Sequence, residues 1–315
     1  MARGLVIKST GSWYTVLTES KKQLNCKIKG KLRIGGIRTT NPIAVGDKVE
    51  YEYQENEKIG VINKIHQRKN YIIRRSINLS KQAHIIAANV DNAFLIITIA
   101  FPETSTQFID RFLVSAEAYR IPVILIFNKE DLYNGEQIIY LKKLKDIYEN
   151  IGYNCLTISA INEKNTEIIR DLCSGKINVF AGNSGVGKST LINVLDPDLK
   201  LKTNEISEYH LKGKHTTTFS EMLEIKSGGY IIDTPGIKGF GFVDIYKEEL
   251  YHFFPEIFKI SKKCKYNNCS HIHEPSCAVI EAVKSGQISE SRYDNYYYIF
   301  MDEDSRYRPS LKATK

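Results

Sequence analysis

The chain has 315 residues, 42% hydrophobic and 25% charged, with a formal net charge of +8. That length and balance exclude a disordered or fibrous chain and leave room for two or three domains with their own cores. The longest apolar run, near residues 93–101, is too short for a membrane span, and the N-terminus shows no signal-peptide pattern, so a cytoplasmic protein is expected.

The positive charge fits a polyanionic partner. No amphipathic basic helix stands out, which favours nucleic acid over an anionic membrane. Six cysteines are present; Cys26, Cys155 and Cys173 are scattered, whereas Cys264, Cys269 and Cys277 cluster beside histidines. In a reducing compartment such a cluster points to metal rather than disulfides.

Residues 1–75 predict a small β-barrel. "GLVIKS", "WYTVLT", "LNCKIKG", "GDKVEYEY" and "KIGVINKI" are five short strand-like runs separated by Gly, Ser, Asn and Lys. The five-stranded oligonucleotide-binding (OB) barrel is one candidate. Lys21, Lys22, Lys27, Lys29, Lys31, Arg33 and Arg38 make it basic, and Trp13, Tyr14, Tyr51 and Tyr53 are candidate stacking platforms for RNA. "HQRKNYIIRRSINLS" reads as a basic linker.

Residues 76–245 alternate strand and helix. "AFLIITIAF", "IPVILIF", "NCLTISA" and "KINVFAG" read as buried strands; "STQFIDRFLVSAEAYR", "EQIIYLKKLKDIYENIG" and "TEIIRDLCSG" read as helices. This is the signature of an α/β domain with a parallel sheet, whose ligands bind at the carboxyl ends of the strands. "NKED", the Ser159-Ala160 pair and "GNSGVGKST" each follow a predicted strand, so all three fall on one rim.

The stretch from Gly182 to Ser189 matches G-x-x-x-x-G-K-[ST] between a strand and a helix. Backbone N–H groups would wrap the phosphates, Lys188 would reach the β- and γ-phosphates, and the Ser189 hydroxyl would hold Mg²⁺. Downstream, "YIIDTPG" supplies Asp233 for Mg²⁺ and Gly236 for the γ-phosphate. Between them "HTTT" offers Thr216, Thr217 and Thr218 to close over Mg²⁺; Thr217 is preferred. In "NKED", Asn128 would meet the purine edge, Lys129 would lay its stem along the site, and Asp131 would accept the donor pair that guanine has and adenine lacks.

The residues assigned to GTP are thus Asn128, Lys129, Asp131, Ser159, Ala160, Gly182, Asn183, Ser184, Gly185, Val186, Gly187, Lys188, Ser189, Thr190, Asp233 and Gly236. They form a full P-loop GTPase set in an unusual order: base motif, base support, phosphate loop, first switch, second switch. A circular permutation explains this, with the old ends joined near "LCSGKINVF". The second switch then runs directly into the C-terminal domain, so phosphate loss can move that domain. Where Ras-like enzymes place a water-orienting Gln, this chain has Ile237. Slow intrinsic hydrolysis is expected, with Lys188, Thr217 and His215 as the catalytic set; His210 or a group from a partner are the alternatives to His215.

Residues 246–315 predict a mostly helical zinc-binding domain with a basic tail. Cys264-x4-Cys269-x-His271-x5-Cys277 offers three thiolates and an imidazole, a closed tetrahedral set for one structural Zn²⁺; His273 competes with His271. Tyr296, Tyr297 and Tyr298 are expected to pack a helix rather than stack on RNA.

A basic barrel, "NKED" ahead of "GNSGVGKST", "HTTT" and "DTPG", then C-x4-C-x-H-x5-C, resembles the bacterial ribosome small subunit-dependent GTPase A family over nearly the whole chain. The resemblance implies an OB barrel and a late assembly factor of the small (30S) ribosomal subunit. It implies slow GTP hydrolysis stimulated by that subunit, rRNA contact, and a role for His215. A monomer with no membrane association is expected. The base-support loop departs from the pattern, continuing "INEKNTE" without the usual glycines. Two rival readings are a GTP-gated RNA-binding scaffold without catalysis, and an ATP-dependent phosphotransferase, which "NKED" opposes.

Overall fold

The computed structural model describes residues 1–28, 42–75, 83–200, 220–233 and 245–302. The five N-terminal runs form β1 (Ala2–Ser9), β2 (Tyr14–Thr18), β3 (Gln23–Ile28), β4 (Lys48–Gln54) and β5 (Ile59–Ile65). They close in the order β1-β2-β3-β5-β4-β1, antiparallel except for β3–β5. This is the five-stranded barrel expected. Alternate residues Val6, Tyr14, Val16, Cys26, Val49 and Ile62 fill its interior. Tyr14 and Tyr51 therefore belong to the core, at 1% and 6% exposure, and are not stacking platforms; Trp13 and Tyr53 are exposed. Lys27 lies over the Trp13 ring, 4.6 Å from its centroid. Lys29, Lys31, Arg33 and Arg38 lie outside the described residues.

The expected linker is in part a hairpin. β6 (Tyr71–Arg75) pairs with β7 (Ala83–Ala88), straddling residue 75. Charge density suggested a linker, but Ile72 and Ile73 are buried, and burying two β-branched side chains favours a strand.

The central domain runs β8 (Asn92–Ile97), α1 (Thr106–Ala118), β9 (Val123–Phe127), α2 (Gly135–Ile151), β10 (Asn154–Thr157), α3 (Thr166–Cys173), β11 (Ile177–Ala181), α4 (Lys188–Leu195), β12 (Ser220–Glu224) and β13 (Tyr230–Asp233). Its sheet order is β10-β9-β8-β11-β13-β12, parallel except for β12. Ser105 caps α1 and an Asn134–Gln137 capping box starts α2. Two apolar clusters cover the two faces, as near-continuous runs such as "VILIF" require. At the joined ends, Asn178 Nδ2 donates to the Cys173 and Lys176 carbonyls at 3.0 and 2.9 Å, and Asn92 Nδ2 donates to Asn178 Oδ1 at 3.1 Å. These amides satisfy the turn between α3 and β11.

Barrel and central domain share hydrogen-bonded strands. β1 pairs with the free edge of β12 through Lys8↔Glu221 and Ser9↔Ser220, covering an edge that would otherwise stay unpaired. The C-terminal helices are α5 (Pro255–Ser261), α6 (Ala278–Lys284) and α7 (Glu290–Met301), preceded by a 3₁₀ segment at Lys247–Phe253. Tyr296 is fully buried among them, whereas Tyr297 and Tyr298 are exposed, so only the first packs as expected. Among the described residues no helix is long and apolar enough to cross a membrane.

Candidate GTP site and metal centre

The phosphate loop leaves β11 in the middle of the parallel sheet and enters α4. Its glycines are required by space as well as by backbone angle. At Gly187, φ is +97° and a Cβ would lie 2.4 Å from Asn128 Nδ2; at Gly182, φ is +142° and a Cβ would lie 2.5 Å from the Ile96 carbonyl oxygen. Lys188 Nζ arches over the loop and donates to the Gly182 and Asn183 carbonyls at 2.7 Å each. Ser189 sits buried in the first turn of α4. Asn183, Ser184, Gly185 and Thr190 are at least partly accessible on this rim, and Val186 is buried beneath it.

Asn128, placed by the end of β9, ties three loops together. It is 2% exposed. Its Nδ2 donates to the Val186 carbonyl at 2.9 Å, and its Oδ1 accepts from the Ala160 N–H at 3.0 Å. The base motif, the base-support loop and the phosphate loop are therefore held together by one amide. This brace accompanies the purine contact assigned to Asn128. Lys129, at φ +66°, reaches the Phe101 and Gly185 carbonyls with Nζ at 2.5 and 2.7 Å. Burial lowers its pKa, and Asp131 opposes that shift. Asp131 itself is exposed on a single 3₁₀ turn, Glu130–Leu132.

The base-support loop forms without its glycines. Glu163 and Asn165 adopt positive φ instead, and Asn165 Nδ2 donates to the Thr157 carbonyl at 2.9 Å. Asn tolerates the left-handed region better than most residues, so Ser159 and Ala160 still reach the rim. Asp233 ends β13 beside β11, at the same edge of the sheet. His210, His215, Thr216, Thr217, Thr218, Gly236 and Ile237 lie outside the described residues.

Two features of this site have no sequence motif. Residues 98–104 wall the phosphate loop: Thr98 N–H donates to Thr104 Oγ1 at 3.1 Å, and a Cβ on Gly185 would lie 3.2 Å from Pro102 Cδ. Tyr133 follows the base motif, and its hydroxyl accepts from the Ile99 N–H at 2.9 Å while donating to the Asn128 carbonyl at 2.5 Å.

In the C-terminal domain the ligand atoms of Cys264, Cys269, His271 and Cys277 lie within 4.8 Å of one another. A tetrahedral ion with metal–sulfur bonds of about 2.3 Å sets sulfurs about 3.8 Å apart and sulfur–nitrogen edges at about 3.5 Å. Cys264 Sγ and Cys277 Sγ are 3.9 Å apart, and His271 Nδ1 lies 3.6 and 3.5 Å from them. The four residues fit a metal ion. Burial pushes Cys269 up to about 12 and lowers His271, which keeps the imidazole in its ligating, neutral form. The competing His273 is exposed and lies outside this cluster.

Sequence patterning missed the side chains around the cluster. Glu274 accepts from Ser270 N–H and Oγ at 2.6 Å each and from Ile272 N–H at 3.1 Å. Burial pushes Glu274 up, but these hydrogen bonds outweigh it and hold its carboxyl at about 2. Tyr251 packs edge-on against the His271 ring, with centroids 5.0 Å apart.

A phosphate loop at mid-sheet, with its base motif upstream in sequence yet beside it in space, defines a circularly permuted P-loop GTPase, a GTP hydrolase. The chain belongs to the RsgA GTPase family, whose model matches residues 65–243; the RsgA N-terminal domain model matches residues 3–62. It is 57% identical to Small ribosomal subunit biogenesis GTPase RsgA 2 of Bacteroides thetaiotaomicron over 307 residues, 97% of this chain and 99% of the relative. It is equally identical, over the same shares, to Small ribosomal subunit biogenesis GTPase RsgA of Phocaeicola vulgatus. The crystal structure of YjeQ from Thermotoga maritima superposes with a TM-score of 0.78 at 37% identity, covering 95% of this chain and 97% of that one. YloQ, described as a circularly permuted GTPase, gives 0.74 at 34% identity, over 95% and 94%.

Proposed function

We propose that this GTPase binds the small (30S) ribosomal subunit, acts late in its maturation, and hydrolyses GTP to GDP and phosphate with stimulation by the subunit. The observation that carries the reading is likeness over 97% of the chain to relatives named for small-subunit biogenesis. The Asn128 brace supports the nucleotide half, since it sets a guanine motif against a phosphate loop.

In this reading Asn128, Lys129, Asp131, Ser159 and Ala160 form the base pocket, and residues 182–190 cradle the phosphates. Lys188 offsets charge developing on the β- and γ-phosphates. Ser189, Thr217 and Asp233 hold Mg²⁺, which neutralises phosphate charge when bound; Gly236 contacts the γ-phosphate. His215 orients the attacking water. Cys264, Cys269, His271 and Cys277 hold one structural Zn²⁺, the ion that favours a closed set of three thiolates and an imidazole. We divide the chain into a barrel at 1–75 that contacts rRNA, a GTPase domain at 76–245 and a zinc domain at 246–315. The working form is a cytoplasmic monomer.

GTP turnover by purified protein, with and without small subunits at low and high salt, tests the proposal. Strong stimulation, lost at high salt, is expected because Lys and Arg contacts to phosphate dominate such binding. Absence of stimulation would favour the scaffold reading, which Ile237 supports.

A further inference from the structure

We propose that Tyr133 is a positioning residue for guanine recognition: its hydroxyl staples the turn that carries Asp131. The inference rests on the reading that Asn128, Lys129 and Asp131 bind the base.

The turn needs such support. β9 ends at Phe127, and Lys129 then takes φ +66°. That conformation is unfavourable for a non-glycine residue and persists only where the surroundings enforce it. Glu130–Leu132 is one 3₁₀ turn without a buried residue, and Asp131 lies exposed within it. The exposed carboxylate follows the backbone of the turn, which Glu130 ties to the base-support loop through its N–H to the Ile158 carbonyl at 3.2 Å and its carboxylate to Lys164 Nζ at 2.7 Å, and which is held at either end.

Each end is fixed by a side chain. Asn128 anchors the start through Val186 and Ala160. Tyr133 anchors the return. Its ring packs against the apolar cluster of β8, β9 and α1. Its hydroxyl donates to the carbonyl of Asn128, the residue from which the turn departs, at 2.5 Å. The same hydroxyl accepts the Ile99 N–H at 2.9 Å, joining the turn to residues 98–104. That segment in turn supplies the Phe101 carbonyl that receives Lys129 Nζ at 2.5 Å. One phenol thus closes the turn on itself and aligns the wall against which Lys129 lies. Packing explains the ring; only the two hydrogen bonds explain the hydroxyl, and Tyr133→Phe isolates it.

The experiment titrates the full chain, as wild type, Tyr133→Phe and Asp131→Ala, with GDP and with inosine diphosphate. Inosine lacks the exocyclic amine that donates to Asp131, so the ratio of the two affinities reads the alignment of that carboxylate. Tyr133→Phe is expected to raise the Kd for GDP about tenfold, the equivalent of one lost hydrogen bond, and to raise it less for inosine diphosphate. Asp131→Ala should abolish the preference for GDP. If Asp131→Ala abolishes it and Tyr133→Phe retains it, the positioning role is overturned while the base reading stands. If Tyr133→Phe weakens both nucleotides equally and lowers the unfolding midpoint, the hydroxyl serves stability alone and the inference fails. A preference that survives Asp131→Ala overturns the base reading and this inference together.

Discussion

Arg292 of α7 donates through Nη1 to Asp110 Oδ1 of α1 at 2.5 Å, and both side chains are buried, at 1% and 0% exposure. Glu256 takes Arg292 Nε at 2.7 Å, while Asn295 and Tyr148 donate to Asp110 at 2.6 and 2.8 Å. The guanidinium also lies over the Phe254 ring. Burial pulls Arg292 down, but Asp110 and Glu256 overcome it and hold it well above its ordinary value. The metal-binding domain is thus joined to α1, whose preceding loop walls the phosphate loop. Any motion delivered through the second switch must work against this buried network.

Removing one member should be severe. Arg292→Met strips the buried Asp110 and Glu256 of their shared cation, and removing one partner of a buried pair typically costs about 3–5 kcal/mol. Urea unfolding should show that loss, and limited proteolysis should begin near α5 to α7. An unchanged midpoint would mean that the network does not hold the domains together.

Asn128→Ala should remove a brace between loops along with the purine contact assigned to Asn128. It strands the Val186 carbonyl and the Ala160 N–H, both buried in the site. Loss of that brace should cost about 2 kcal/mol of GDP binding, roughly thirtyfold in Kd. Titration with a fluorescent GDP analogue measures it. A Kd within twofold of wild type would sink the bracing role.

Metal removal should unfold one part of the molecule selectively. A chelator, or Cys269→Ser, should abolish a separate C-terminal transition while GDP binding persists, because the ligands lie outside the nucleotide site. Glu274→Gln should lower the same transition by about 1–2 kcal/mol, since it weakens charge-assisted bonds to a partly exposed loop. The depressed Glu274 carboxyl contributes stability that is complete above pH ~4.3 and is lost as pH falls toward its folded value of about 2.

The Lys8–Glu221 ion pair at the barrel seam should matter little. Its atoms are 3.0 Å apart, but the side chains are 41% and 48% exposed. Lys8→Ala should change stability by less than about 0.5 kcal/mol. A larger loss would show that the seam depends on charge rather than on strand pairing.

His215→Ala should slow GTP hydrolysis by about a hundredfold if His215 orients water, leaving the Kd for GTP unchanged. Single-turnover kinetics with saturating small subunits separate these quantities.

The sequence by itself determined the class of chemistry, GTP hydrolysis, and the motifs that nominate its residues. Gly182, Gly187, Lys188, Asn128 and the Cys–His cluster are legible because each motif is short, local and tied to backbone angles or ligand geometry that few residues satisfy. The strands and helices of the central domain follow from runs such as "VILIF" and from caps such as Asn134. The permutation is legible because motif order survives in one dimension. What only the tertiary structure decided lies between segments distant in sequence. Asn128 spends its amide on Val186 and Ala160; Tyr133 turns its hydroxyl back to Asn128; Arg292 finds Asp110 across 182 positions. Tyr14 and Tyr51 face the barrel interior, and Ile72 and Ile73 make a strand of a basic linker. The physical reason is common to all of these. A side chain's role depends on which buried donor, acceptor or apolar face it meets, and long-range packing chooses that partner.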